Sequence, residues 1–284
     1  MDLRSTALEL FDTAVAAADP FGTVSDSIEV RDGEIVIDGV SYLTEHFNRI
    51  LVIGAGKASA RMASVVETRL GNRIHTGWIN TKYGHSIPLE HITVHECAHP
   101  VPDEAGIRGS SEIIRLLEDA DESTLVLALM SGGGSALLPA PVDSVSLSEK
   151  QDVTSALLSA GAAIDELNAV RKHLSVLKGG GMARLASPAA LHVLVLSDVI
   201  GDRLDTIASG PASPDRTSFA DCVEICKRYG VWGDLPENVR SRFESGVRGE
   251  IPETVKAGDS SLDTTRVTIV GNNRRSLDAL AERA

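Results

Sequence analysis

Six short apolar runs constrain this chain more than anything else in it. They are RILVIG (49–54), HTGWIN (75–80), HITVHE (91–96), TLVLALMS (124–131), LHVLVLSD (191–198) and RVTIVGN (266–272). Each is rich in β-branched residues and has the length of a strand, and segments of helical period separate most of them. Buried strands alternating with helices specify a mostly parallel sheet covered on both faces, so the expected fold is doubly wound, Rossmann-like α/β. Ahead of the first run, SIEVRDGEIVIDGV sets two alternating stretches around Asp32-Gly33. That is tight-turn chemistry, and it predicts a small N-terminal β-hairpin at an edge.

The opening MDLRSTALELFDTAVAAADP carries acids and no long apolar block, as an amphipathic helix does and a signal peptide does not. No stretch reaches the ~20 apolar residues of a membrane span, so a cytoplasmic location is expected. A net charge of -13 argues against nucleic-acid and anionic-membrane partners, because no basic patch offsets it. Arginine outnumbers lysine and aspartate is abundant, a balance suited either to high salt or to an ordinary acidic protein. The 3 cysteines, Cys97, Cys222 and Cys226, form no CxxC and are expected to be reduced. Cys222 and Cys226, four apart at helical spacing, suit small buried hydrophobes. No internal repeat or low-complexity segment interrupts the chain. Residues 1–240 are expected to form the Rossmann-like domain. Residues 241–284 are expected to form a connecting segment and the start of a second lobe whose remainder is absent, because RVTIVGNNRRSLDALAERA looks like the opening of another βα unit.

In open α/β sheets ligands bind beyond the carboxyl ends of the strands. The first such end is LVIGAGKASARM, where Gly54 and Gly56 precede Lys57 at a helix start. A dinucleotide fingerprint fails, since Ser59 stands where its third glycine belongs and no acid ends the next strand. A Walker A loop fails too, with Ala58 directly after the lysine. What remains is a turn open to a phosphate or carboxylate, or one that merely packs strand against helix. The second end, Ser131-Gly132-Gly133-Gly134-Ser135, has the backbone freedom to wrap a phosphate with successive amides. Leu137 stands where a nucleophile elbow would need glycine. The third places Asp198 directly off a strand with Asp202 four residues on. This arrangement suits Mg²⁺ shared with nucleotide phosphates, although Asp198 equally suits a general base or a loop cap.

The fourth cluster, LNAVRKHLSVLKGGGMARLA, concentrates Arg171, Lys172, His173 and Lys178 before Gly179-Gly180-Gly181. It favours an anionic ligand, against a solvated helix face as the plain alternative. His95, His99 and Asp103 lie near another strand end but lack the further ligands that zinc requires. Several anion-friendly strand ends without a ribose-binding acid point to a small acidic substrate and a phosphorylated cosubstrate. Phosphoryl transfer fits, because it depends on positioning and charge neutralisation.

GAGKAS, HPVPDEAG, SGGGSALL, NAVRKHLSVLKGGGMARLA and SDVIGDRLDTIASGPASPD, in this order and spacing, resemble the glycerate 2-kinase family, whose second domain is called MOFRL. The resemblance runs from the first helix to about Asp215 and continues weakly to the end. It implies ATP- and Mg²⁺-dependent phosphorylation of D-glycerate to 2-phosphoglycerate in a cleft between a larger Rossmann-like domain and a smaller one. It also implies that Lys57 is catalytic and that the Ser131–Ser135 loop cradles phosphate. Asp198 would bind metal or activate the substrate hydroxyl, and the Arg171/Lys172 region would hold an anion. Most of the second domain is missing from this sequence. A non-catalytic nucleotide- or glycerate-binding lobe is therefore the second expectation, and an NAD(P)H-dependent hydroxypyruvate reductase the third. A homo-oligomer is compatible with all three.

Overall fold

All six apolar runs form strands and join one sheet. The computed structural model describes residues 2–283. Three strands precede the large sheet: β1 (Ile28–Arg31), β2 (Glu34–Ile37) and β3 (Val40–Leu43). The large sheet contains β4 (Arg49–Ala55), β5 (Thr76–Lys82), β6 (Ile92–Cys97), β7 (Thr124–Ser131), β8 (Ala190–Leu196) and β9 (Thr265–Gly271), in the order β6-β5-β4-β7-β8-β9. Every pairing in it is parallel. The chain leaves β4 toward β5 and β6, then returns to lay β7 on the other side of β4. That reversal parts the connections above the carboxyl ends of β4 and β7 and creates the crevice where such sheets bind ligands.

Side-chain alternation feeds two cores. Leu51, Ile53, Val126 and Ala128 point to one face, where they meet Ile113 and Leu117 of α4 (Glu104–Glu118) and Met182 of α8 (Gly181–Ala186). Val52, Leu125, Leu127 and Leu129 point to the other and meet Met62 and Val66 of α3 (Ser59–Leu70). Every residue of β7 is buried, as a central strand covered on both sides requires. On that second face lie α1 (Leu3–Ala17), which packs on α11 (Asn273–Arg283), and α2 (Pro20–Ser27). A third core joins α6 (Leu147–Ser159), α7 (Ile164–His173), α9 (Phe219–Arg228) and α10 (Glu237–Val247) through Leu157, Leu167, Phe219 and Phe243. Cys222 and Cys226 are buried in it as free thiols. The four-residue α5 (Gly134–Leu137) follows β7.

The expected hairpin is a three-stranded antiparallel sheet. Its first turn is Asp32-Gly33, and a second, Asp38-Gly39, has positive φ at both residues (48° and 78°), the geometry of a type I′ turn. The ribbon does not extend the edge of the large sheet. Ile28, Ile35 and Ile37 are buried with α3 in the second core, so the ribbon covers part of that face. Tyr42 Oη is hydrogen-bonded to His192 Nδ1 of β8 at 2.8 Å. RVTIVGN, which reads as the opening of another unit, finds its partner strand in β8, with Leu191 opposite Thr265. No helix is long and apolar enough to cross a membrane among the described residues.

Candidate active site

The loops after β4 and β7 are bonded to each other at the switch point. Lys57 N–H donates to Gly132 O at 2.9 Å, Ala58 N–H donates to Ser131 Oγ at 3.0 Å, and Ser59 Oγ lies 3.1 Å from Ser131 Oγ. This contact explains the first pair of glycines. Gly54 lies within β4, and a Cβ there would sit 2.3 Å from Leu129 O; one on Gly56 would sit 2.0 Å from Ser131 Oγ. These glycines let two strand ends approach, while Ser59 fills the place of the missing third glycine.

The triple glycine has a different neighbourhood. A Cβ on Gly132 would lie 2.1 Å from Asp198 Oδ2, and one on Gly133, at φ 86°, would lie 2.9 Å from His99 Nε2 and 3.3 Å from Lys57 Cγ. The loop is thus a bare strip of backbone between a carboxylate, an imidazole and the stem of a lysine. The amides of Gly133 and Gly134 donate to no group among the described residues. Burial first, then the positive charge of Lys57 and Lys82, lowers the His99 pKa, so its ring is neutral at pH 7.

A cleft of about 730 Å³ opens over this strip, lined by the glycine loop, His99 and Asp198, by Lys150 of α6 and Arg171 of α7, and by Lys178, whose ammonium donates to Ser135 O at the end of the glycine loop. Ser135, Ser209 and Asn168 line it as a chain of hydrogen bonds: Ser135 Oγ to Ser209 Oγ at 2.9 Å and Ser209 Oγ–H to Asn168 Oδ1 at 3.2 Å. Ala208 and Ser209 both hold positive φ (50° and 62°), a conformation costly for residues with side chains and common where a site is held in a fixed shape. Lys57 is exposed on the crest beside the cleft and also lines a more open hollow of about 900 Å³ with Arg61 and His85.

Among the expected site residues, Lys57, Ser131, Gly132, Gly133, Gly134, Ser135, Arg171, Lys178 and Asp198 gather at or beside the cleft. Lys172 does not. It is buried and paired to the fully buried Asp215 at 3.2 Å, and His173 meets Glu253 at 3.0 Å. Asp202 is also absent from the cleft wall; its carboxylate accepts a hydrogen bond from Asn272 Nδ2. The second glycine triplet is structural. The amides of Gly179 and Gly180 donate to the carbonyls of Ser209 and Gly210, and Val255 packs against Gly180, so no anion is needed there.

His95 and Asp103 are likewise engaged. His95 Nε2 lies 2.8 Å from Ala105 O, and Asp103 caps α4 by accepting from Gly106 N–H. No group of three or more His, Cys, Asp or Glu is placed to hold a metal among the described residues. For Mg²⁺, the donor beside the strip of free backbone is one carboxylate, Asp198, while the other acid lining the cleft, Asp152, stands on α6. That fits an ion completed by phosphate oxygens and water.

Four cleft residues are missing from the sequence expectation or present in another role: Lys150, Asn168, Ser209 and His99. His99 was visible only as a metal candidate, although its place in HPVPDEAG, just past β6, marks it as a strand-end residue. Lys150 gives no signal at all, since it is one lysine in the polar run SEKQD.

A family model described as "Domain of unknown function (DUF4147)" matches residues 6–244. A Pyrococcus horikoshii protein named glycerate 2-kinase is 39% identical over 100% of this chain and 63% of its own length. An Agrobacterium vitis protein named putative hydroxypyruvate reductase is 42% identical over 90% of this chain and 54% of its own. The crystal structure of a Thermotoga maritima glycerate kinase superposes with a TM-score of 0.84 at 37% identity, covering 99% of this chain and 62% of that one. The chain thus spans less than two thirds of these relatives.

Proposed function

The chain belongs to the DUF4147 family and to the glycerate 2-kinase group of its relatives, and from that premise we propose that it phosphorylates D-glycerate with ATP and Mg²⁺ to give 2-phosphoglycerate. The observation that carries this reading is the bare Gly132–Gly134 strip at the switch point, held between Asp198, His99 and Lys57. Its free amides suit the oxygens of a transferring phosphoryl group, and Lys57, whose stem lies beside Gly133, would neutralise the charge that develops on them. Mg²⁺, held by Asp198 and the nucleotide, would supply further charge neutralisation. Asp198 also suits the proton of the attacking hydroxyl, and neutral His99 offers a ring nitrogen at the same edge without adding charge. Ser135 and Ser209 give the substrate hydroxyls polar partners along the floor.

A reductase reading has less behind it. Ser59, buried and bonded to Ser131, occupies the place of the third fingerprint glycine, and β5 ends in Asn80-Thr81-Lys82 without an acid for a ribose. Lys57→Ala tests the proposal. Removing one preorganised charge of this kind costs ~3 kcal/mol, so turnover should fall by about two orders of magnitude with the melting temperature unchanged. Wild-type turnover in that variant would remove Lys57 from the chemistry.

A further inference from the structure

The cleft carries three basic groups that pair with no acid among the described residues. Lys150 is 8% exposed, on the buried face of α6 beside Val153, and its ammonium has a single partner, Leu174 O at 3.1 Å. Lys178, 3% exposed, donates to Ser135 O at 2.8 Å and Leu138 O at 3.0 Å. Arg171, half-buried on α7, makes no hydrogen bond or ion pair among the described residues. Asp152 lines the same cleft but is exposed and bonded to neither lysine, and Asp198 stands beside Gly132.

Buried unpaired cations are costly unless a ligand completes them. Burial first, then neighbouring positive charge, holds Lys150 well below the usual lysine range and Lys178 at about 7. Protonated on meeting an anion, each amine has three N–H donors, so Lys150 would retain two and Lys178 one, beside a whole guanidinium. That set suits the two oxygens of a carboxylate. The free amides of Gly133 and Gly134 stand one or two residues before the Ser135 carbonyl that Lys178 holds, so the phosphate-type elements adjoin this set.

Resting on the kinase reading above, we propose that Lys150, Lys178 and Arg171 form a carboxylate subsite in the cleft, which selects a small hydroxy acid over the corresponding neutral polyol. An acid seated there presents its hydroxyls toward Ser135, Ser209 and Asp198. Lys150 binds the acid end and takes no part in phosphoryl transfer.

Calorimetric titration of D-glycerate, glycerol and a non-hydrolysable Mg²⁺–ATP analogue into the chain, Lys150→Met and Arg171→Met tests this without requiring turnover. Methionine keeps the volume of Lys150 and lifts a buried charge, and Arg171 lies closer to solvent, so at least one variant should fold. The expected result is glycerate binding without glycerol binding, weakened about 30-fold or more by either substitution, while affinity for the nucleotide analogue stays within about twofold. Three results would overturn the subsite: unchanged glycerate affinity in the folded variants, a loss confined to the nucleotide, or no glycerate binding to the folded parent. A parent that binds glycerate through Lys150 yet never transfers phosphate would instead refute the kinase reading and leave the subsite standing.

Discussion

Asp198 leaves no room for a side chain at Gly132, where a Cβ would lie 2.1 Å from its carboxylate oxygen. Gly132→Ala should push the Asp198 carboxylate aside by roughly an ångström, a displacement that costs about 100-fold in rate when it misplaces a reacting group. Paired assays of turnover and thermal melting check it: activity should drop while the melting temperature holds within a few degrees. An alanine variant as active as the parent would mean that the carboxylate position is unimportant. Residue by residue, the sequence displays what glycine clusters announce and hides what burial decides. Arg171 and Lys172 are indistinguishable as text, but neighbouring helix positions point about 100° apart, so one faces the cleft while the other reaches Asp215. Lys150 carries no motif, because its importance comes only from the apolar face it shares with Val153 and Leu157.

Between elements, the ribbon and the large sheet are joined through His192, whose ring nitrogens meet Tyr42 Oη at 2.8 Å and Thr268 Oγ1 at 2.9 Å. Burial, outweighing all else, lowers its pKa from 6.5 to about 4. The unfolded chain therefore takes up a proton that the folded chain refuses. Its contribution is fully present above pH 6.5 and falls as the pH drops toward 4, by about 3 kcal/mol in total. Urea midpoints measured across that window should decline, and His192→Asn should flatten this part of the decline; an unchanged slope in the variant would assign it to other groups. The strands of this layer were legible because alternation and β-branching are local properties. The third ribbon strand was not, since Val40–Leu43 is only half-buried and shows no run. Nor was the helical wall of the cleft, because α6 and α7 take their places from contacts with α9 and α10, far along the chain.

At the scale of the molecule, a net charge of -13 makes the folded state repel itself. Salt screens that repulsion, so the melting temperature should rise from low to molar salt; a flat profile would mark an ordinary acidic protein. The doubly wound sheet was legible as a whole because helices separate most of its six strands, and its crevice followed from topology alone. The account stands or falls on what happens in that crevice. A phosphorus NMR time course of the chain with ATP, Mg²⁺ and D-glycerate, run at a salt concentration where it is fully folded, measures this directly. The account predicts that ADP and 2-phosphoglycerate grow together, whereas a folded sample in which ATP and glycerate persist unchanged would contradict it.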